Sequence, residues 1–414
     1  MEVKSGLPVI SVAILITGNI VGAGILGLPI DTGLAGFSLS TVTMLVMWGL
    51  MLATAVILAD QVLLSREDNF DLPSLFGSTL GPAGRWVAIA ANLLILYGLL
   101  VAYLSGGTAI IINLFHLSQP AWVVTLVFFG LVGGLTLFGL EVVRRGNTLM
   151  MVAMWAAFGV LAAIAASRIQ LHRLTAVDWA LVPSGIPIMV TAFHFHNIIP
   201  TACRSLAYDR AATRKALFIG SGIGLGMNLI WNVVVIGTIP VAGAGSDTIL
   251  YAFEHGLPAT VPLANLLHSK IFVVSGLLFA ILAITTSFLA NGTALMGFAR
   301  DMGAGWAVTR SKTAHALISF APPLLVTIVY PNLFLKALDV VGGVGIALLF
   351  GVLPGVLAIR QSKTPTGRRL GMLIVACFLA VLVFEICQET GLLRIDPAVE
   401  LYKAGWQVAG QPAP

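Results

Sequence analysis

Charge is what this sequence has least of. Asp, Glu, Lys and Arg make up 9% of the 414 residues, where an ordinary soluble domain carries about 25%. Hydrophobic residues reach 58%, with a mean hydropathy of +1.00. Too few polar side chains remain to cover a soluble surface, which excludes a soluble enzyme, a nucleic-acid binder and a disordered chain. Cysteine is also scarce. Cys203, Cys377 and Cys387 show no CxxC spacing, so neither a disulfide framework nor a structural metal is expected. The chain contains no HExxH, no GxGD-type aspartate pair and no GxSG serine, which argues against an intramembrane enzyme. A passive channel is disfavoured because the chain carries its own internal repeat. Near the N-terminus there is one Lys and no small-residue cleavage site, so the first apolar run reads as a span and not as a signal peptide.

What is present is a succession of apolar runs long enough to cross hydrocarbon. They fall near residues 8–31, 38–63, 86–112, 121–140, 148–167, 183–203, 216–240, 270–298, 314–330, 334–359 and 370–388, predicting eleven spans. With the N-terminus inside, 16 of the 22 basic residues fall in inner loops. The bias predicts a cytoplasmic N-terminus and an outer C-terminus, in an inner or plasma membrane. The net charge of +5 is then explained by retained loop cations and needs no nucleic acid. No separate soluble domain is expected. The segment near 241–269 reads as an outer lid or an ordinary loop.

Two spans are interrupted. The first reads Thr17-Gly-Asn-Ile-Val-Gly-Ala-Gly-Ile-Leu-Gly-Leu-Pro29. Glycine costs about 1 kcal/mol in a helix and proline about 3. Such a run unwinds, or else packs a helix closely through small residues. The sixth span, Pro187 to Pro200, holds His194, His196 and Asn197, and its Ile199-Pro200 echoes Leu28-Pro29. Paired breaks in two halves are the sequence pointer to a transporter binding site. Open N–H groups around Ala23, Gly24 and Ile25 would suit an amino-acid carboxylate. Carbonyls near Gly18 and Val21 would suit a cation or an ammonium.

Polar residues inside spans are functional candidates by default. His196 either titrates in coupling or caps the broken helix. Asp339 is a gate or proton carrier, or else pairs with Lys336 at i, i+3. Glu385 reads as interfacial. Asn228 and Asn232 share one helical face, which suits helix gluing or, for Asn232, ion coupling. Asp60 and Asp301 border inner loops.

Gly18 to Pro29, Phe195-His196-x-x-x-Pro200, Ile236-Gly-Thr-Ile-Pro240, Ile284-Thr-Thr-Ser-Phe288 and, in span 3, Tyr97 with Ala102-Tyr-Leu-Ser-Gly-Gly107 resemble the hydroxy/aromatic amino acid permease family, to which tyrosine- and tryptophan-specific permeases belong. The resemblance implies an all-α polytopic membrane protein with a LeuT-type 5+5 inverted repeat, broken helices 1 and 6 and an eleventh helix. The core would be 1–359, with repeats about 1–170 and 171–359, followed by 360–414 as eleventh helix and outer tail. It implies import of an amino acid, aromatic above all, by proton symport, with no cofactor and no obligate protein partner. The rivals are a sodium-coupled symporter and a permease for serine or threonine. By similarity, sodium would lie among Gly18, Val21, Thr286 and Ser287. The position after the last Gly of the break is Ile25, not the Asn of sodium symporters, so a second sodium site is not implied. Tyr103 would bind the substrate carboxylate, and Phe193, Phe195 and His196 would line the pocket. His194 departs from the family's small residue.

Overall fold

The computed structural model describes residues 6–66, 72–138, 140–243, 245–302 and 311–393; the side chains of 6, 7, 138, 140–148, 301 and 312 are not described. The predicted positions of Lys4, Arg144, Arg145, Arg310, Lys312, Asp301 and the C-terminal tail therefore lie outside what can be placed. Among the described residues there is no β-strand.

The first interrupted run forms α1 (Gly6–Ile20) and α2 (Gly24–Gly33), bent by 55°. It is followed by α3 (Phe37–Ser65), the short α4 (Leu72–Leu80), α5 (Pro82–Leu114), α6 (Ala121–Phe138) and α7 (Leu140–Ala166). The second interrupted run gives α8 (Ile186–Ala192) and α9 (Ile199–Ser205), with a 3₁₀ turn at His196–Ile198 between them. Then come α10 (Arg210–Thr238), α11 (Ile249–Glu254), α12 (Thr260–Leu267), α13 (Lys270–Met302) and α14 (Lys312–Val329). The tenth apolar run is α15 (Phe334–Val340), a π-helical segment Val341–Val352 and α16 (Leu353–Gln361); α17 (Pro365–Glu389) is last. Among the described residues, seven helices are long and apolar enough to cross a membrane, eight if α1 and α2 count as one span, and α6 and α14 contain shorter apolar helices.

Local chemistry explains where elements differ from the sequence reading. Helix α10 starts at Arg210, ahead of the expected 216, because Asp209 Oδ1 accepts from the Ala212 N–H at 2.8 Å and caps it. The echo between the two prolines does not mark equivalent breaks. Pro29 lies inside α2, whereas Pro200 lies in the first turn of α9, where its missing N–H costs nothing. The π segment was not legible from the sequence.

The two ends of the bundle differ. At one, Asp60 receives Arg210 Nη2 at 2.9 Å and Arg214 Nη2 at 2.8 Å, tying α3 to α10. Arg360 Nη1 donates to the Thr79 carbonyl at 3.0 Å and Gln61 to Gln361 at 2.7 Å. This is the basic end. At the opposite end, α11 and α12 lie across α2: the Ala259 N–H donates to the Leu26 carbonyl at 2.8 Å. Gly256 allows the turn between them, with φ +60 and its Cα against the Asn332 carbonyl. The segment 241–269 is thus a lid on the second half of the first interrupted run.

Candidate functional site

The break in the first run is three residues long, Val21–Ala23. The Val21 N–H still bonds to the Thr17 carbonyl at 2.9 Å, and Ile25 and Leu26 N–H turn back to Gly22 and Ala23 at 3.3 and 3.1 Å. Among the described residues, no backbone carbonyl accepts from Gly22 or Ala23. Those two amides, beside the N-terminus of α2, are the open donors here. In the second break, His194 N–H reaches the Thr191 carbonyl at 3.2 Å and Ile198 N–H reaches Phe195 at 3.2 Å.

The two breaks meet around a cavity of about 200 Å³. Gly18, Asn19, Gly22, Ala23 and Gly24 line it from the first run, and Thr191, His194, Asn197 and Ile198 from the second. Helix α5 adds Leu99 and Tyr103, α7 adds Met151 and Met154, and α13 adds Thr286, Ser287, Ala290 and Asn291. Close approach of helices builds the walls. A Cβ on Gly22 would lie 2.8 Å from Ser287 Oγ, and one on Gly24 would lie 3.0 Å from Ala192 Cα. Larger residues would push α13 and α8 away. Asn291 Nδ2 donates to the Tyr103 hydroxyl at 3.2 Å. The Thr286 hydroxyl donates to its own helix, at 2.8 Å to Leu282, leaving its lone pairs as acceptors. A second cavity of about 280 Å³ shares His194, Asn197 and Asn291 and is lined farther on by Leu72, Pro73 and Phe298. It leads toward the basic end.

Of the candidate site residues, Gly18, Ala23, Gly24, Tyr103, Thr286 and Ser287 line the cavity, as does His194, whereas Val21, Ile25, Phe193, Phe195, His196, Asn232 and Asp339 do not. Ile25 is fully buried with its N–H occupied, and Val21 is 1% exposed. Phe193 and Phe195 turn into the core. His196 is rotated away: its Nε2 lies 2.9 Å from Thr54 Oγ1 on α3. The Thr54 hydroxyl also lies 3.0 Å from the Met51 carbonyl, so it can donate to that carbonyl or to the imidazole. The His194 and His196 rings stack at 6.0 Å, both against Phe350, but only His194 reaches the cavity.

Asn232 faces Thr32 on α2, 2.9 Å from Thr32 Oγ1. Asn228 bonds Gly224 of its own helix at 2.9 Å. Asp339 lies at the opposite end, beside the lid-covered α2. Lys336 does not take it as its ion-pair partner, but pairs with Glu389 at 2.9 Å. Glu385 is not interfacial: it is 1% exposed, packed on Gly343 of the π segment.

Asn19, Asn291, Met151 and Met154 were missed, and Asn197 was read only as part of the interruption of the sixth span. The asparagines carried a signal, being amides inside apolar runs; the methionines carried none. Among the described residues, no group of three or more His, Cys, Asp or Glu could hold a metal ion. A cation here would have to use hydroxyls and carbonyls.

Comparison with known proteins places this arrangement. The profile of the tryptophan/tyrosine permease family matches residues 7–388. The chain is 29% identical to tyrosine-specific transport system 1 of Haemophilus influenzae, over 80% of this chain and 82% of that one. It is 27% identical to a tryptophan-specific transport protein of Pseudomonas aeruginosa, over 85% and 86%. In fold it is similar to MhsT in complex with L-phenylalanine, at a TM-score of 0.61 and 16% identity, covering 92% of this chain and 99% of that one. The fold is that of the LeuT-type transporters, and the relatives are transport proteins and not enzymes. The chain is a multi-pass membrane protein and belongs to the tryptophan/tyrosine permease family.

Proposed function

We propose that this permease imports tyrosine or tryptophan by proton symport with alternating access, through eleven spans whose first ten form two inverted repeats. The observation that carries the reading is the cavity formed where both helix breaks meet. The open amides of Gly22 and Ala23, beside the N-terminus of α2, bind the substrate carboxylate. The Tyr103 hydroxyl, held by Asn291, stands beside them. The side chain lies among Leu99, Met151 and Met154, where thioethers suit an aromatic face, and Asn19, Asn197 or His194 meets its hydroxyl or indole N–H. A positive-inside orientation makes the basic end cytoplasmic. The lid then seals the outside while the cavity leads inward, the geometry of substrate release.

Sodium coupling is the second reading. Gly18, Thr286 and Ser287 all line the cavity, and Ser287 lies against Gly22. Uptake of labelled tyrosine into proteoliposomes under a pH gradient alone, against a sodium gradient alone, separates the two. Sodium-driven uptake at symmetric pH would remove the proton reading. A panel of competing amino acids tests the substrate: tyrosine, tryptophan or phenylalanine should compete, and competition by serine or threonine instead would reassign it.

A further inference from the structure

The opposite end of the bundle holds three carboxyl groups that the cavity does not use. Asp31, near the end of α2, is fully buried, and neither of its carboxyl oxygens has a hydrogen-bond partner. Asp339 closes on it from α15, and its Oδ1 is likewise buried without a partner. Glu385 approaches from α17; a Cβ on Gly343 would lie 2.6 Å from its Cγ. Gly27, one turn before Asp31, packs against Leu335 and Leu338 of α15, the helix that carries Asp339. Three helices thus bring three acids to the same end of the bundle, with Asp31 fully buried and Asp339 partly exposed.

The nearest charges do not neutralise them. Lys336 is the cation on α15, and it is held by Glu389 at 2.9 Å. Helix α8, packed on both α2 and α15, supplies no ionisable side chain, and neither does α12. Helix α10 meets α2 through Asn232 and Thr32, and its own arginines are at the basic end. Helix α11, in the lid, carries only Glu254, exposed, and Tyr251. Buried carboxylates without a partner are a costly arrangement, relieved when they take up a proton.

This end of the bundle is also shut. A Cβ on Gly27 would lie 2.8 Å from Ile188 Cδ1 and 2.9 Å from Leu335 Cδ2, so α2, α8 and α15 leave no passage there. Thr191, a cavity residue, donates to the carbonyl of Leu338 at 2.7 Å, one residue before Asp339.

We propose that Asp31, Asp339 and Glu385 form a proton-binding site, loaded from the opposite end of the bundle, which must hold a proton for α2, α8 and α15 to close together. The site deepens the symport reading above, on which its role in coupling rests. When the end is open, water reaches the carboxyls and they ionise. Taking up a proton removes the repulsion, the helices close, and Thr191 carries the closure to the cavity. External acid therefore favours the state described here. Asn at position 31 or 339 supplies a neutral group permanently and uncouples closure from pH.

Two readouts test this in the full-length protein. The first is infrared spectroscopy of purified protein through a pH titration. Wild type should show a protonated-carboxyl band at neutral pH, reduced in Asp31→Asn and in Asp339→Asn. A spectrum without that band, or one unchanged in both variants and in Glu385→Gln, overturns the proposal. The second is transport of labelled tyrosine in proteoliposomes. Exchange at symmetric pH should stay within about twofold of wild type in D31N, since the carboxyl does not touch the cavity. Stimulation by external acid should be lost. Retained stimulation in both D31N and D339N overturns the site. If D31N does not fold, D339N and D31E carry the same comparison, D31E being expected to retain both band and stimulation. Should wild type keep the band but fail to accumulate tyrosine under a pH gradient, the symport reading fails and the proton site stands.

Discussion

Thr191 Oγ1 donates to the Leu338 carbonyl at 2.7 Å, joining the broken sixth run to the residue just before the π segment's flank. The bond crosses between two helices whose backbones nearly touch, since Gly342 lies against the Pro187 carbonyl and Thr191. Leu338 lies in α15, three residues before the π segment, and gives its carbonyl to this neighbouring side chain.

Thr191→Val keeps the shape and removes the donor. A buried acceptor left without its partner costs about 1–3 kcal/mol. Hydrogen exchange across Phe334–Val340 should accelerate by about tenfold. Unchanged exchange would mean that the bond does not hold the gate.

Gly342→Ala should be severe, because its Cβ would meet backbone atoms of Pro187 that cannot move aside. A loss of several kcal/mol, seen as failure to purify monodisperse protein or a marked drop in melting temperature, is expected. Gly134→Ala is the control. Nothing lies within 4 Å of a Cβ there, so the change should be neutral or stabilising by up to about 1 kcal/mol.

Asn291→Ala removes the donor that holds Tyr103. The KM for tyrosine should rise about five- to tenfold, as for one hydrogen bond of roughly 1 kcal/mol or slightly more. Tyr103→Phe should move it the same way, and the double variant should be less than additive. Fully additive effects would place the two residues in separate roles.

His196 contacts α3 through Thr54, an arrangement suited to positioning the break. Thr54→Val and His196→Ala should lower the melting temperature alike, with a coupling energy near 1 kcal/mol in the double-mutant cycle. His196→Gln, whose amide can still donate, should recover much of the loss. An altered pH profile of uptake in T54V would contradict this assignment.

The breaks were legible because glycine and proline act on their own backbone, whatever surrounds them. The longest apolar runs were legible for a similar reason, since each is long enough to be recognised alone. Asp31 escaped notice because it falls at the last residue of a predicted span, where an acid needs no explanation. Its burial comes with the packing of α8, α10, α11 and α15 on α2, contributed by residues more than 150 positions away. Glu385 was misread for the same reason, and so was the partner of Lys336. At i, i+3 Asp339 was a reasonable choice, yet Glu389 reaches Lys336 from another helix.

Hydropathy and backbone cost, which are properties of short stretches, thus determined from sequence alone that this chain crosses a membrane repeatedly and breaks two of its helices. Only the tertiary structure decided which side chains face the cavity. A break frees a helix to rotate, and the rotation it adopts depends on what packs against it. That rotation turned His196 toward Thr54 and left His194 at the cavity, while docking of α5 on α13 brought Tyr103 to Asn291. The three acids were gathered in the same way, because a carboxyl's neighbours are set by helix docking and not by its place in the chain.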